Sequence, residues 1–132
     1  MPKATQMNLK LENKIGTLAV LCRDLAHLGV NLLAISAPET KAKTGPIRLL
    51  VTNAELAEHA LTKAGYKFVA EHVLYLELKN RPGALAKAIE KLAKAKIEVR
   101  YSYATAYTKA QKTAAVIAVD ENELDRALKL FR

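Results

Sequence analysis

The 132-residue chain has one cysteine, Cys22, no tryptophan, five tyrosines and two phenylalanines. A lone cysteine excludes an internal disulfide and a thiolate metal cluster, and suits a reducing compartment. Histidine is nearly as scarce. His27, His59 and His72 stand apart in the sequence, with no ligand spacing and no carboxylate framework, so no metal and no cofactor is expected. Nothing resembles a nucleophile beside its base, a phosphate-binding loop or a metal motif, so no catalytic residue is assigned and the chain does not read as an enzyme. No apolar run approaches the roughly 20 residues that a membrane span needs. The start, Met1-Pro2-Lys3-Ala4-Thr5-Gln6, lacks the apolar centre of a signal peptide. These absences point to a cytoplasmic protein with no membrane contact. Acidic residues are also in deficit, 13 against 21 Lys plus Arg, giving a net charge of +8 and a pI near 9.6. That balance favours solubility and attraction to polyanions without bearing on fold.

What is present is a globular composition. The apolar fraction is 51% and the mean hydropathy is −0.01, which argues against disorder. The length suits one domain, or two very small ones.

The chain repeats itself. Leu9-Lys10-Leu11-Glu12-Asn13-Lys14-Ile15-Gly16-Thr17-Leu18-Ala19 lies over Leu76-Glu77-Leu78-Lys79-Asn80-Arg81-Pro82-Gly83-Ala84-Leu85-Ala86, an offset of 67 residues, which also sets Ala60-Leu61 on Ala127-Leu128 without a gap. Eight identities fall between positions 9 and 26, and they include an Asn and a Gly that composition does not favour. The reading is therefore two units, residues 5–71 and 72–132.

Each copy shows the same pattern. Met7–Leu11 and Val73–Leu78 have the length and apolarity of strands. An Asn-x-x-Gly turn follows, then an amphipathic helix. Leu18, Leu21, Cys22, Leu25 and Leu28 form its apolar stripe in the first copy, and Leu85, Ile89, Leu92 and Ala93 in the second. Pro82 suits a first helical position, and Gly29 a helix stop. Val30–Ala37 and Ile97–Ala106 read as second strands, Ile47–Thr52 and Ala114–Val119 as third strands, with Gly45-Pro46 marking a loop. Asn53 and Asp120 are natural N-caps for a second helix. Tyr66–Glu71 closes the first copy as a fourth strand. The order β-α-β-β-α-β is the ferredoxin-like unit. The expected fold class is α+β, two such units in tandem, with antiparallel sheets and helices on one face.

The second copy ends at Arg132, which aligns with Gly65, so it lacks its last strand. An open edge beside Val73–Leu78 invites pairing, and either a strand donated by a partner chain or a sequence cut short of its last strand would explain it. The first copy's second strand adds a further reason to expect at least a dimer. Val30, Leu32 and Ala34 alternate with Leu33, Ile35 and Ala37, so both faces are apolar where one wet face would alternate with polar residues. The matching strand of the second copy does alternate.

On Leu76 to Lys87, on Leu11 to Leu18 and on Gly29-Val30-Asn31-Leu32, the chain resembles a tandem ACT-domain protein, and the resemblance covers nearly its whole length. It implies a regulatory module that binds a free amino acid at an interface between ACT domains, and a likeness to stand-alone pairs of this size. It carries ligand contact to the first turn and to the residue after the helix-ending Gly-Val. Those positions are Asn13, Lys14, Ile15, Gly16 and Thr17 with Asn31 and Leu32, and Asn80, Arg81, Pro82, Gly83 and Ala84 with Glu98. The turn chemistry agrees. Glycine lets a backbone approach a ligand closely, free N–H groups at a helix start attract a carboxylate, and an Asn side chain both donates and accepts. Ile15 departs from the family's usual Pro, and Lys96 and Glu98 from its usual Gly and Asn. Asn13 and Asn31 are thus the more complete pair.

Tyr101 and Tyr103 share a strand face and could line a side-chain pocket, as an alternative to plain packing. The expected ligand is an apolar or aromatic amino acid, since no Asp is placed to read a basic side chain. Two other functions compete. A duplicated module can keep its fold as an interaction scaffold for a protein partner without any ligand. RNA-recognition modules share this element order, but they carry aromatics on both central strands, and neither Ile47–Val51 nor Ala114–Ala118 contains one, which argues against nucleic acid.

Overall fold

The computed structural model describes residues 2–132. The chain divides into two compact units, residues 5–71 and residues 2–4 joined to 72–132. Both are α+β and ferredoxin-like.

The first unit comprises β1 (Lys3–Glu12) from Thr5 onward, α1 (Thr17–His27), β2 (Leu32–Ser36), β3 (Thr44–Val51), α2 (Ala54–Lys63) and the start of β4 (Phe68–Lys79). Its strands lie in the order β2-β3-β1-β4, with β1 and β2 each antiparallel to β3. The two-residue period turns Met7, Leu9 and Leu11 of β1 and Ile47, Leu49 and Val51 of β3 to one face, where Leu21, Leu25, Ala57, Ala60 and Leu61 of the helices close over them. Burying one such leucine stabilises by roughly 1.5–3 kcal/mol. The opposite face carries Gln6, which is fully buried. Its amide donates to Asn8 Oδ1 at 2.8 Å, and Asn8 Nδ2 donates to Glu71 Oε1 at 2.9 Å, so the burial leaves no polar atom stranded.

Asn53 caps α2 as its residue type suggests, Oδ1 accepting from Leu56 N–H at 3.1 Å. The α1 stripe ends at Gly29, whose φ is 77°. Its N–H donates to the Ala26 carbonyl at 3.1 Å, and Val30 N–H to Leu25 at 3.0 Å.

The second unit comprises β4 from His72, α3 (Ala84–Lys94), β5 (Tyr101–Thr105), β6 (Lys112–Ala118), a single 3₁₀ turn at Glu121–Glu123 and α4 (Leu124–Leu130). Its strand order is β4-β6-β5. Leu74, Leu76, Ile117 and Val119 pack on Ala88 and Leu92 of α3 and on Ala127 and Leu128 of α4. Arg126 ties the two helices together, its Nη1 donating to the Ala95 carbonyl at 2.7 Å and its Nε to Glu123 at 3.0 Å.

Five expectations are revised. The edge of β4 expected to stand open has a neighbour from the chain itself. Residues 2–4 lie beside β4, with Tyr75 N–H donating to the Pro2 carbonyl at 2.8 Å, because β1 starts at Lys3, earlier than its apolar part. Pro82 precedes the helix; α3 starts at Ala84 behind Gly83. The second strands start later than Val30 and Ile97, at Leu32 and Tyr101.

The duplication also has a gap. Leu9 pairs with Ile47, while its counterpart Leu76 pairs with Ala115, so β3 and β6 correspond at 68 residues rather than 67. The loop before β6 is one residue longer, and the link from β6 to the next helix is one shorter. Finally, the doubly apolar look of β2 comes from a bulge between Leu32 and Ala34. The bulge breaks the two-residue period, so that Leu32 and Ile35 both pair with core-facing residues, Val51 and Leu49.

Candidate functional site

The turns from first strand to first helix are the same in both units. Gly16 and Gly83 are N-caps with φ of 89° and 87°, and neither helix has a side-chain cap. A left-handed residue lets the chain turn sharply into the helix. In α1, Thr17 N–H reaches back to Lys14 at 3.3 Å and Val20 N–H bonds Gly16 at 3.0 Å. The N–H groups of Leu18 and Ala19 have no helical acceptor by geometry, and they carry the positive end of the helix dipole.

The asparagines serve the loop first. Asn13 Nδ2 donates to the Thr40 carbonyl at 2.8 Å, and its N–H to Lys43 at 2.7 Å. Asn80 Nδ2 donates to Ala110 at 2.8 Å and Tyr107 at 3.2 Å, and its N–H to Gln111 at 2.9 Å. Each Asn thereby pins the loop between the second and third strands of its own unit. Asn13 is left with its carbonyl oxygen, an acceptor suited to an ammonium group, and one amide N–H, while Asn80 spends both of its amide donors on the loop.

Under the first of these turns lies a half-open cleft of about 150 Å³. Leu11, Leu18, Ile47, Ala37 and Pro38 give its apolar wall, and Glu12, Asn13, Lys14, Thr17 and Thr40 its polar edge. Lys14 Nζ meets Glu12 Oε2 at 2.9 Å; the hydrogen bond and the charge of Glu12 raise the Lys14 pKa, which keeps the ammonium charged. Gly45 completes the wall. A Cβ there would stand 2.8 Å from Thr40 Cγ2.

Of the residues singled out from sequence, Asn13, Lys14 and Thr17 meet at this cleft. Ile15 and Gly16 do not line it; Ile15 projects from the turn, fully exposed. Asn31 and Leu32 lie at the other end of the unit. Asn31 Nδ2 donates to Thr52 Oγ1 at 2.9 Å, after β3, while Asn13 bonds Lys43, before it. The intervening strand, at about 3.3 Å per residue, separates the two asparagines by roughly 25–30 Å. One unit cannot place both on one amino acid.

In the second unit Asn80, Arg81, Pro82, Gly83 and Ala84 form the corresponding turn, with Pro82 exposed where Ile15 stands. Glu98 is exposed before β5. Tyr101 and Tyr103 pair with Ala118 and Val116, whose neighbours Ile117 and Val119 face the helices. The two rings therefore occupy the sheet face turned away from α3 and α4, Tyr101 with its ring centre 5.6 Å from Arg100, and they do not join the Asn80 turn.

The cleft's inner residues, Leu11, Ala37, Pro38, Gly45 and Ile47, escaped the sequence reading. They are apolar or loop residues with no chemistry of their own, and Gly45-Pro46 is the one local sign of them. Among the described residues no group of three or more His, Cys, Asp or Glu is placed to hold a metal ion, and no helix is long and apolar enough to cross a membrane.

Two antiparallel ferredoxin-like units, each with an uncapped glycine turn into its first helix, define a duplicated α+β module of the ACT kind. A family profile described as an ACT domain pair matches residues 3–131, and the chain belongs to that family. No curated protein matches. Among solved structures it is similar to protein BT0572 from Bacteroides thetaiotaomicron, at 28% identity and a TM-score of 0.86, over 98% of this chain and 86% of that one. The fold is also that of the regulatory subunit of aspartate kinase from Thermus thermophilus in its ligand-free form, at 16% identity and a TM-score of 0.69, over 99% and 91%. The equivalent subunit from Thermus flavus gives 14% and 0.64, over 99% and 91%.

Proposed function

We propose that this ACT domain pair is a regulatory binding protein of the cytoplasm that senses a free amino acid at an interface between ACT units and passes the signal to a protein partner. The observation that carries the reading is the cleft beneath the first turn, with uncapped helix N–H groups and the free carbonyl oxygen of Asn13 at its edge. A carboxylate suits the N–H groups of Leu18 and Ala19, and an ammonium suits the Asn13 oxygen. Asn31 lies too far away within one unit, so its part is to complete the site of a second copy, which makes a homodimer the working form. The ligand is apolar or aromatic, in keeping with the aliphatic wall. Its effect on the partner equals its differential affinity for two arrangements of the dimer.

The test is melting temperature measured against each of the twenty amino acids, and against a short single-stranded RNA at two salt concentrations. A ligand at a hundred times its dissociation constant adds about 2.7 kcal/mol of stability. Asn13→Ala and Asn31→Ala should each weaken that response. If all twenty amino acids leave the transition where it was, the sensor reading fails and a ligand-free scaffold remains; RNA binding that falls steeply with salt would instead indicate a nucleic-acid module.

A further inference from the structure

The two units provide an internal comparison at the cleft. Gly45 faces Leu11 across β1 and β3, and its missing side chain keeps the wall open beside Thr40. At the 68-residue correspondence its counterpart is Thr113, which faces Leu78. The Thr113 hydroxyl donates across to the Thr105 carbonyl, and Thr105 stands where Pro38 stands in the first unit. Thr40 is matched by Tyr107, and Ile47 by Ala115. The second copy thus places a side chain and a hydrogen bond where the first keeps a space.

That space is small, half-open, and apolar on its inner wall. About 150 Å³ is the size of a cavity that holds one benzene-sized apolar guest. Here the polar edge must also take the guest's charged half. A molecule the size of valine, leucine or isoleucine fills it, with its branched carbons against Leu11, Leu18 and Ile47. A hydroxyl, indole N–H or charge set among those three side chains would lose its water without gaining a partner, which disfavours tyrosine, tryptophan and the polar amino acids.

We infer that the cleft of the first unit is the specificity pocket for a small branched aliphatic amino acid, and that the second unit has closed its own. This rests on the amino-acid-sensing reading above and narrows it to one unit and one ligand class.

Calorimetric titration of the whole chain with valine, leucine, isoleucine, threonine, serine, aspartate, lysine, phenylalanine and tyrosine tests it. One of the three branched aliphatic amino acids should bind at least tenfold more tightly than any other in the set. Gly45→Thr, which copies the second unit, should weaken that binding tenfold or more. So should Ala37→Phe, which fills the cleft from an exposed position and leaves the core untouched should Gly45→Thr disturb folding. Ala104→Phe, at the position in the second unit that matches Ala37, should bind as the parent does. Tightest binding of a polar, charged or aromatic amino acid, or unchanged binding by Ala37→Phe, overturns the pocket while leaving amino-acid sensing intact. No binding by any amino acid overturns both.

Discussion

Gly29 and Lys96 occupy the same position in the two units and take the same backbone shape, with φ of 77° and 58°. Lys96 N–H bonds the Ala93 carbonyl at 3.0 Å and Ile97 N–H bonds Leu92 at 2.9 Å, repeating the bonds around Gly29. The left-handed conformation costs a side-chain-bearing residue roughly 1–2 kcal/mol, and glycine offsets part of that gain through its freer unfolded chain. Lys96→Gly should therefore stabilise by about 1 kcal/mol in urea unfolding with an unchanged slope, and Gly29→Ala should destabilise by a similar amount. A destabilised Lys96→Gly would mean that the lysine side chain contributes more than its backbone loses. The departure of copy two from the family's Gly is thus a strained substitution on an unaltered backbone.

Tyr66 offers a second test at this scale. Its hydroxyl donates to Asp24 Oδ2 at 2.9 Å. Burial first, then the hydrogen bond and charge of Asp24, raise its pKa above the ordinary 10.0. The folded state consequently holds its proton at pH values where the unfolded chain has released it. The stabilisation is complete below pH 10 and is lost as pH rises through the folded pKa. Tyr66→Phe should cost about 1 kcal/mol at neutral pH. Its melting temperature should also fall less steeply than the parent's above pH 10; parallel curves would show that Tyr66 does not govern that limb.

At the scale of elements, the helices were legible because their Leu and Ala spacing follows the buried face, as at Leu21 and Leu25. The strand cores were legible for the same reason, with a period of two. Three features were not. Lys3–Gln6 is short and polar, and it becomes strand only because β4 supplies hydrogen-bonding partners. The bulge in β2 changes no residue type and so leaves no mark in the hydropathy. The shift from 67 to 68 between β3 and β6 hides inside a loop and is undone before α4. Of the site, the Asn-x-x-Gly turn was readable, but the loop-pinning role of the asparagines depends on carbonyls 27 or more residues away. Asn80→Ala should destabilise the second unit by about 1–2 kcal/mol, through two lost bonds to loop carbonyls. It should also open residues 106–111 to limited proteolysis, while leaving amino-acid binding at the first unit unchanged. Equal resistance of that loop in parent and variant would assign its order to other contacts.

For the whole molecule the question is what covers β2. It is an edge strand, and Leu33 and Ile35 are 49% and 40% exposed. Their counterparts at the same positions of the second unit are Arg100 and Ser102. Edge strands ordinarily carry charge or bulges that discourage pairing; β2 has the bulge but keeps its apolar side chains, whereas the second unit has Arg100 just before β5 and Ser102 within it. With residues 2–4 beside Tyr75, the missing-strand reason for a dimer disappears, and the support left is the apolar β2 edge together with the separation of Asn13 from Asn31. A two-fold pairing places the same strand of each copy against the other, so it needs one apolar edge per chain and leaves the polar β5 edge in water. The protein should therefore sediment as a dimer at micromolar concentration. Leu33→Arg combined with Ile35→Ser, which writes the second unit's residues into the first, should give a monomer with unchanged helical circular dichroism. Dissociation should also reduce amino-acid affinity, because Asn31 would no longer reach a neighbour's turn. A folded monomer that binds its ligand as tightly as the parent would separate the dimer from sensing and place the whole ligand site within residues 5–71.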